Sequence, residues 1–410
     1  MESRRPRLLV LSSTFPRWKD DTEPRFVESL SYELAAIFDV VVLAPHCKGA
    51  KREESFRSDG RTLTVHRFRY LPAAMETLAY DGGMLFRVRS NRLRLLLLPV
   101  FLGAQALAIV RLHCQLEFNA VHAHWIVPQG FVAAMLRMMW RRFPPFLVTS
   151  HGGDLYALRG AILEKLKRWI LLRADAVTVV SHAMRDYCEE RRLKPGRVVV
   201  QSMGVDLEAT FTPGEQHASR NGVVFVGRLV EKKGVEYLIE AVGLLAAKHV
   251  GLELTIVGDG PLRDSLKALA KSQGVGDRVR FVGGVPNEDV VHFLRSAAIS
   301  VMPSVVSASG DREGLGLVAV EAQGCGCAVI ASDLPAVRDT VIDGQTGLMA
   351  KPADAVDLAR KIQTLLEDDA LRRRLADGGR RHAMGKFTWR TVGSRYGRII
   401  TEMLDGPRKV

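Results

Sequence analysis

The sequence predicts an α/β protein built of two doubly wound domains in tandem, each a parallel sheet with helices on both faces. Short β-branched runs alternate with helix-length amphipathic segments along the whole chain, which is the pattern of parallel βα units. The pattern restarts after Val205, and 410 residues fit two domains better than one. Ligands bind at the carboxyl ends of such strands, so we expect the two domains to face a central cleft that holds the site.

The first domain is predicted over residues 1–205. A strand over Arg7–Leu11 precedes a helix over residues 24–37, in which apolar residues recur at helical spacing and proline occupies the first position. Residues 40–44 form a second predicted strand, and the alternating stretch 63–68 indicates an edge strand or a hairpin. Further strands are predicted over residues 120–123, 146–149, 176–180 and 197–201.

The second domain is predicted over residues 206–386. The polar, turn-rich stretch 212–222 lacks periodicity and indicates a linker. Strands are then predicted over residues 223–226, 252–257, 279–282, 300–302 and 328–331, and helices over residues 235–247, 262–272, 287–297 and 317–324. The tail 354–404 is expected to be helical, with breaks at Gly378, Gly379 and Gly385.

The charge of the chain is unevenly distributed. The net charge is +13, and Lys and Arg exceed Asp and Glu by 12 within residues 1–205. Such a field indicates an anionic partner: a membrane surface, a nucleic acid or a phosphorylated substrate. A nucleic acid is disfavoured, because no basic stripe is interleaved with aromatic residues. Five widely spaced cysteines and the lack of a secretory signal favour a cytoplasmic protein.

The longest apolar stretch is residues 95–110, which contain Pro99 and Gly103. It is shorter than the ~20 residues of a membrane-spanning helix, so we predict a helix that is buried or docked on a surface. Four arginines precede it: Arg87, Arg89, Arg92 and Arg94. Basic residues beside an apolar helix suit an anionic bilayer, which predicts a peripheral protein at the inner face of a membrane. The alternative is a helix buried in the first domain.

Two strand-to-helix turns of the second domain suit a phosphorylated ligand. Gly227 allows close approach of the backbone, and Arg228 and Lys233 place two cations beside a helix start, as a diphosphate requires. The alternative is a solvated basic turn. The turn Gly258-Asp259-Gly260 could expose its backbone to a flat base, although a tight turn with positive φ explains the same glycines.

A third segment places Glu313 and Glu321 eight residues apart, around Gly314-Leu315-Gly316-Leu317. Free amides at the helix start form an anion site. Glu321, about two turns further, could accept hydrogen bonds from a ribose diol, and Glu313 could contact sugar hydroxyls. The segment also imitates a dinucleotide fingerprint. That match is disfavoured, and a nicotinamide dehydrogenase with it, because the preceding strand must run directly into the first glycine.

Histidines mark two strand ends of the first domain. His151 follows the strand 146–149 and could donate to a substrate hydroxyl, or could cap a helix. His122 and His124 share one strand face, but no third ligand at metal-binding spacing accompanies them. We therefore expect no metal site.

Together these motifs resemble the family 4 retaining glycosyltransferases, which have the GT-B fold with two Rossmann-like domains. The signature E-x7-E is matched by EGLGLVAVE at residues 313–321. In the family's order the chain also contains VGRLVEKKG, VGDGPL, PS, GCGCAVIASD and DGQTGLM. The resemblance covers nearly the whole chain and is strongest over residues 223–351.

The resemblance implies a retaining, metal-independent hexosyltransferase. It would move a hexose from a nucleotide diphosphate sugar to a saccharide or lipid-linked acceptor, in cell-surface polysaccharide or glycolipid synthesis. The implied catalytic residues are His151, Glu313, Arg228 and Lys233. The implied donor-binding residues are Gly227, Arg228, Lys233, Gly258, Asp259, Gly260, Glu313, Gly314, Leu315, Gly316, Leu317 and Glu321. No cofactor is implied, since Arg and Lys stabilise the leaving diphosphate.

The chain departs from the family in its first βα loop, residues 14–25, which lacks the usual Gly-Gly pair. Arg17, Arg25 and Asp154 are the candidates for acceptor contacts, and the alternative for the two arginines is contact with the donor. The resemblance implies that a final helix, residues 387–404, packs back onto the first domain. No enzymatic nucleophile is evident, which favours a front-face mechanism. The alternatives within the fold are a nucleotide-sugar epimerase and a disaccharide phosphorylase or synthase.

Overall fold

The computed structural model describes residues 5–18, 21, 23–58, 60–80, 82–193, 198–214 and 220–406. The described chain separates into two compact units. Unit 1 draws on Met1–Val180, Met184–Gly204 and Trp389–Val410, and unit 2 on Ser181–Ala183 and Val205–Thr388. Each unit contains a largely parallel sheet, so the predicted α/β class with two doubly wound domains is confirmed.

The described strands of unit 1 form one sheet. They are β1 (Arg7–Leu11), β2 (Asp39–Pro45), β3 (Glu53–Ser58), β4 (Arg61–Phe68), β5 (Ala120–His124), β6 (Phe146–Ser150), β7 (Ala176–Val179) and β8 (Val199–Val200). Their order is β3-β4-β2-β1-β5-β6-β7-β8, and the order reverses between β1 and β5. The inner strands β1, β5 and β6 are almost entirely buried, as expected for parallel strands covered on both faces.

The strand β3 was not predicted. It pairs antiparallel with β4, so that Glu53 lies opposite His66 and Ser58 opposite Arg61. The hairpin alternative for residues 63–68 is therefore correct. The stretch EESFRS carries no strand signal because β3 is an edge strand, and charged side chains are typical of sheet edges.

The helices of unit 1 lie between these strands. They are α1 (Phe26–Leu34), α2 (Met84–Ser90), α3 (Leu98–Leu116), α4 (Phe131–Met139), α5 (Gly153–Tyr156), α6 (Ala161–Arg173) and α7 (His182–Glu190). The first residues of α7 belong to unit 2.

The helix α3 is longer and more exposed than predicted. A 3₁₀ turn over Arg92–Leu97 leads directly into it, and Pro99 lies in its first turn, where proline interrupts no hydrogen bond. Among the described residues, the segment Arg92–Leu116 is the one helix long and apolar enough to cross a bilayer by length and composition. Only 17% of its most apolar window is buried, so the alternative of a buried helix is wrong.

Unit 2 contains a second sheet, whose described strands are all parallel. They are β9 (Val223–Val226), β10 (Leu254–Val257), β11 (Val279–Gly283), β12 (Ile299–Met302), β13 (Ala328–Ser332) and β14 (Leu348–Ala350). Their order is β11-β10-β9-β12-β13-β14, which reverses between β9 and β12. The short β14 was not predicted, since three residues carry no periodicity.

The helices α8 (Val235–Leu245), α9 (Arg263–Ser272), α10 (Asn287–Ser296), α11 (Leu317–Gly324), α12 (Ala355–Glu367) and α13 (Asp369–Lys386) complete unit 2. Two apolar clusters result, one with α8 and α12 and the other with α10, α11 and α13. The sheet is therefore covered on both faces.

The predicted linker over residues 212–222 is wrong for the part that the structure describes. Unit 2 already begins at Val205. The Arg295 guanidinium donates to the carbonyl of Thr212 at 2.8 Å and to its hydroxyl at 2.6 Å, and Phe211 is buried in the unit 2 core. These contacts place the start of the stretch inside unit 2. Residues 215–219 lie outside the described residues.

The predicted breaks at Gly378, Gly379 and Gly385 are also wrong, because all three lie inside α13. The helical tail is interrupted instead at residues 387–388 and at Asp368, whose side chain caps α13 by accepting from Leu371 N–H at 2.8 Å. A Cβ at Gly378 would lie 2.2 Å from the carbonyl oxygen of Gln345, and one at Gly379 would lie 2.8 Å from Gln323. These two glycines allow close packing rather than a turn.

The last helix, α14 (Trp389–Asp405), belongs to unit 1. It packs on α1, where a Cβ at Gly393 would lie 2.3 Å from Glu33 Cβ. The Tyr396 hydroxyl donates to the carbonyl of Gln201 at 3.2 Å. Unit 1 is therefore completed by residues from the far end of the chain.

Candidate functional site

The candidate site of unit 2 lies where the strand order reverses, at the carboxyl ends of β9 and β12. These strands are neighbours, with Val223 paired to Ile299. The loop 227–234 follows β9 and the loop 303–316 follows β12. Ligands bind at such a reversal in open α/β sheets, because the two outgoing loops separate there and leave a crevice.

An ion pair joins the two loops. The Lys233 Nζ lies 2.5 Å from Glu313 Oε1, and Glu313 is 8% exposed. Burial alone would raise the pKa of Glu313, but the charge and the hydrogen bond of Lys233 lower it overall. Glu313 is therefore ionised at neutral pH, and the pair presents an ammonium and a carboxylate at one point of the reversal.

Three further contacts hold the two loops together. Lys232 Nζ lies 3.2 Å from an oxygen of Asp311. The amide of Val305 donates to the Lys232 carbonyl at 2.9 Å, and the amide of Ala308 donates to the Glu231 carboxylate at 2.6 Å. No sequence motif marks Glu231 and Asp311 as site residues, because some 80 residues of chain separate them. These contacts fix the two loops, and the loops hold the Lys233–Glu313 ion pair in place.

The turns that follow β9 and β10 approach each other so closely that they require glycine. Gly258 has φ +135°, and a Cβ there would lie 1.9 Å from the Gly227 carbonyl oxygen. A Cβ at Gly260 would lie 2.4 Å from the Leu229 carbonyl oxygen. The alternative of a tight turn with positive φ therefore explains Gly258, whereas close approach of the backbone alone explains Gly260. A contact with a base stays a prediction.

Asp259 and Arg228 are both exposed. The Asp259 carboxylate accepts from the Gly260 amide at 2.7 Å and pairs with Arg263 at 2.9 Å, so it is engaged within its own turn. Arg228 directly follows Gly227, at the end of β9 and on the loop that also carries Lys233. Its positive charge therefore lies at the carboxyl end of β9, on the exposed side of the loop.

The start of α11 forms the third side of the site. Gly316 has φ +85°, and a Cβ there would lie 2.9 Å from Met302 Cε, so only glycine fits. The amides of Leu317 and Val318 begin the helix, where backbone amides lack acceptors within the helix and attract negative charge. Before it, the Leu315 carbonyl oxygen lies 3.4 Å from the Thr340 hydroxyl, which donates to the Val337 carbonyl at 2.9 Å. Gly314 stands between this contact and Glu313.

Glu321 is only partly exposed on α11. Burial raises the pKa of Glu321 to about 7, and the charge of Lys233 lowers it in part. Lys233 therefore acts electrostatically on Glu313 and on Glu321. The structure thus gathers Lys233, Glu313 and Glu321 at one end of the unit 2 sheet, and their role in binding a donor stays a prediction.

Unit 1 has its own cluster at the carboxyl ends of β5 and β6. His124 Nδ1 and His151 Nε2 share a hydrogen bond of 3.0 Å, and their rings are stacked at 11°. His122 Nε2 shares a hydrogen bond of 2.8 Å with the Thr149 hydroxyl. Burial lowers the pKa of His122 and of His151 to about 3. These imidazoles are therefore neutral at neutral pH, and each can donate one ring proton.

Asp154 fixes the turn that carries His151. Its buried carboxylate accepts from the Ile126 amide at 2.7 Å, the Ser150 hydroxyl at 2.9 Å and the His151 amide at 3.2 Å. These bonds give Asp154 a positioning role. Its predicted contact with an acceptor stays a prediction.

The first βα loop of unit 1 holds two paired arginines. Arg17 pairs with Asp21 at 2.7 Å, and its guanidinium lies over the rings of Trp18 and Tyr80. Arg25 is exposed and pairs with Glu28 at 3.0 Å. Both arginines are thus oriented by carboxylates, and their role toward an acceptor stays a prediction.

His122 and His124 were weighed above as metal ligands, and the hydrogen bond from His124 to His151 was not predicted. The signal was present, because His124 ends β5 and His151 follows the adjacent β6. Within the described ranges, no group of three or more His, Cys, Asp or Glu residues has the arrangement of a metal site.

Two family models match the chain. The model described as Glycosyltransferase Family 4 matches residues 24–209, and the model described as Glycosyl transferases group 1 matches residues 210–382. The first match lies mainly in unit 1 and the second in unit 2.

Curated relatives and solved structures agree. The chain is 31% identical over 332 residues to a D-inositol 3-phosphate glycosyltransferase of Geodermatophilus obscurus, covering 72% of this chain and 70% of that one. It is 26% identical to a GDP-mannose-dependent phosphatidylinositol monomannoside mannosyltransferase of Mycolicibacterium smegmatis, covering 98% and 99%. The sucrose-phosphate synthase structure from Thermosynechococcus elongatus is 25% identical, with a TM-score of 0.78 over 98% of this chain and 100% of that one. The chain therefore belongs to the family 4 glycosyltransferases and has the GT-B fold.

Proposed function

We propose that this glycosyltransferase is retaining and metal-independent, and that it moves a hexose from a nucleotide diphosphate sugar to a saccharide or lipid-linked acceptor. The observation that carries the proposal is the Lys233–Glu313 ion pair at the strand reversal of unit 2. It places an ammonium for a diphosphate next to a carboxylate for sugar hydroxyls, as the two parts of such a donor require.

The remaining residues of the site complete this assignment. Arg228 and the first amides of α11 add positive potential for the diphosphate, together with Lys233. Glu321 binds the ribose diol, and Gly258 and Gly260 line the base. These cations replace a metal ion in stabilising the charge that develops on the leaving diphosphate. His151 donates a hydrogen bond to the hexose from its neutral ring.

The proposed chemistry is a front-face displacement. The bond between the anomeric carbon and the β-phosphate oxygen breaks, and the acceptor hydroxyl oxygen forms its bond to the same face of that carbon. The hydroxyl proton passes to an oxygen of the departing diphosphate. The products are a glycoside with retained anomeric configuration and a nucleoside diphosphate.

The acceptor is proposed to lie at the inner, cytoplasmic face of a membrane, in cell-surface polysaccharide or glycolipid synthesis. The basic excess of residues 1–205 supports an anionic environment for unit 1. The name of the Mycolicibacterium smegmatis relative describes a lipid acceptor for that protein, which favours a lipid-linked acceptor here.

The first test is a thermal-shift screen with uridine, guanosine and adenosine diphosphates and their hexose conjugates. Binding of one of them at a hundredfold excess over its Kd raises the apparent stability by about 2.7 kcal/mol. We expect the shift to disappear in Arg228→Ala and Lys233→Ala, because each removes a cation from the diphosphate. Lys271→Ala, which removes an exposed lysine of α9, is the matched control.

Transfer assays then distinguish the proposed transfer from other reactions of the same fold. Glu313→Gln is expected to bind the nucleoside diphosphate but to transfer the hexose at least a hundredfold more slowly, because Glu313 is assigned to the sugar. If the nucleotide raises the thermal stability of Lys233→Ala as much as that of the natural chain, the assignment of Lys233 to the diphosphate is wrong. An inverted product, a trapped glycosyl-enzyme or loss of activity with a chelator would each contradict the mechanism. Isomerised nucleotide sugar or phosphate-dependent cleavage would instead identify an epimerase or a phosphorylase.

A further inference from the structure

The segment Arg92–Leu116 has one face anchored in unit 1. Phe101, Gln105, Ile109 and Leu112 are buried and recur at helical spacing. The ring of Phe101 packs edge-on against Phe68 and Tyr70, each with a centroid separation of 5.1 Å. The helix therefore lies along the unit 1 sheet and is fixed there by its own apolar contacts.

The opposite side of the same segment is exposed and aliphatic. Leu93, Leu96, Val100 and Leu107 are 71%, 74%, 47% and 50% exposed. With Gly103, which is also exposed, these residues form a stripe that we call the α3 face. Its length of about 20 Å follows from 1.5 Å of rise per residue. Contiguous apolar surface of this kind marks a contact site.

The charged residues of the segment that carries the α3 face are exclusively basic. From residue 82 to residue 116 the sequence contains no Asp or Glu. It contains five arginines: Arg87, Arg89, Arg92, Arg94 and Arg111. Arg89, Arg92 and Arg111 are exposed, and none of the three has an acidic partner among the residues that the structure describes. The apolar stripe is thus bordered by positive charge that the fold does not neutralise.

We infer that the α3 face docks on an anionic lipid bilayer, with the helix parallel to the membrane plane. The aliphatic side chains enter the acyl boundary and the arginines pair with anionic headgroups. The segment satisfies the length and composition of a spanning helix, but spanning would remove Phe101 and Gln105 from the unit 1 core. The inference deepens the proposed membrane location and rests on that part of the proposed function, not on the transfer chemistry.

The chemistry of the face favours lipid over a protein partner. The exposed members of the stripe are Leu and Val, which are under-represented among the residues that dominate protein interfaces. A bilayer accepts aliphatic side chains in any orientation and supplies headgroup charge along the whole length of the helix. The pattern of an apolar stripe with basic borders is that of an interfacial helix.

The test is flotation of the full chain with vesicles of phosphatidylcholine alone or with about 30% phosphatidylglycerol, at low and high salt. We expect binding to the anionic vesicles at low salt and weaker binding at high salt. The variant Leu96→Asp with Leu107→Asp is expected to weaken binding at least tenfold. Arg89→Gln with Arg92→Gln is expected to weaken it about 25-fold, since each basic residue contributes about fivefold. Val250→Asp, at an exposed apolar position of unit 2, should bind as the natural chain does.

Each outcome bears on the inference. Failure of the natural chain to float with anionic vesicles overturns it, as does unchanged binding of both double variants. If the natural chain is a dimer without lipid and Leu96→Asp with Leu107→Asp makes it a monomer, a second copy covers the α3 face and the inference is wrong. The nucleotide thermal shift of each variant separates this result from the transfer proposal, because donor binding in unit 2 should persist when vesicle binding is lost.

Discussion

At the scale of single residues, Glu321 shows how the fold prepares a side chain for a ligand. A carboxyl group whose pKa is raised to about 7 by burial is protonated in a substantial fraction of molecules at neutral pH. A ribose diol needs the ionised form, since only that form accepts from both hydroxyls. Donor binding and loss of a proton are therefore coupled at this residue.

This coupling predicts a pH dependence of donor affinity. Between pH 8 and pH 6 the affinity for the nucleotide sugar should fall about tenfold, because a folded pKa of about 7 leaves Glu321 increasingly protonated. Calorimetric titration should use the nucleotide sugar, since the terminal phosphate of a free nucleotide itself titrates near pH 6. Glu321→Gln should bind more weakly and without this slope, and Glu253→Gln, an exposed position, should keep it. An equal slope in Glu321→Gln would show that another group titrates.

The histidines of unit 1 predict loss of stability in acid. The folded pKa of His122 is about 3 against an ordinary 6.5, so the unfolded chain takes up a proton first as the pH falls. Stability is fully present above pH 6.5 and is lost progressively down to about pH 3. Removing one such histidine should reduce the loss between pH 6.5 and 5 by about 1.5 kcal/mol.

The measurement is the apparent Tm by calorimetry as a function of pH. His122→Gln should give a shallower decline than the natural chain, although its Tm at pH 7 falls because the bond to Thr149 changes. His292→Gln, at an exposed position, tests whether burial is the cause. Parallel curves for His122→Gln and the natural chain would contradict the prediction.

At the scale of elements, the glycines of α13 show that a glycine can indicate either a helix break or a point of close packing. Sequence reasoning placed helix breaks at Gly378, Gly379 and Gly385, because glycine lowers helix propensity. The structure keeps all three in one helix. Gly378 and Gly379 lie against other backbone and side-chain atoms, while a Cβ at Gly385 would have no neighbouring atom within 4 Å. Propensity is local, whereas the packing that overrides it comes from residues 323 and 345, which the sequence does not place beside α13.

The two environments predict opposite effects of the same substitution. Gly378→Ala would place Cβ 2.2 Å from the Gln345 carbonyl oxygen, so it should destabilise by about 1–3 kcal/mol through overpacking. Gly385→Ala meets open space and should stabilise by up to about 1 kcal/mol through helix propensity. Urea midpoints of the two variants against the natural chain measure both. If Gly378→Ala is instead more stable than the natural chain, α13 and the backbone at Gln345 move apart without a cost in free energy.

At the scale of the whole molecule, the two sheets and the motifs at the ends of their strands were accessible from the sequence, whereas the order of the strands was not predicted. Alternation of strand-length and helix-length apolar runs indicated both sheets, and the family resemblance implied that Lys233, Glu313 and Glu321 bind one donor. Whether an apolar helix faces the core or the solvent was harder to predict from the sequence. Residues 95–110 are apolar whether they lie in a core or on a surface, and only the buried stripe opposite the α3 face shows which side has a partner.

The return of α14 to unit 1 affects biosynthesis. Domains made of one continuous stretch can fold as soon as they leave the ribosome. Unit 1 cannot, because it incorporates residues that are translated after all of unit 2. The ring of Tyr396 on α14 lies 5.5 Å from that of His122, so the histidine cluster is enclosed only once these late residues have emerged. A chain that terminates before α14 would therefore contain all residues of unit 2 but an incomplete histidine cluster. Enclosure of this cluster thus depends on translation through α14.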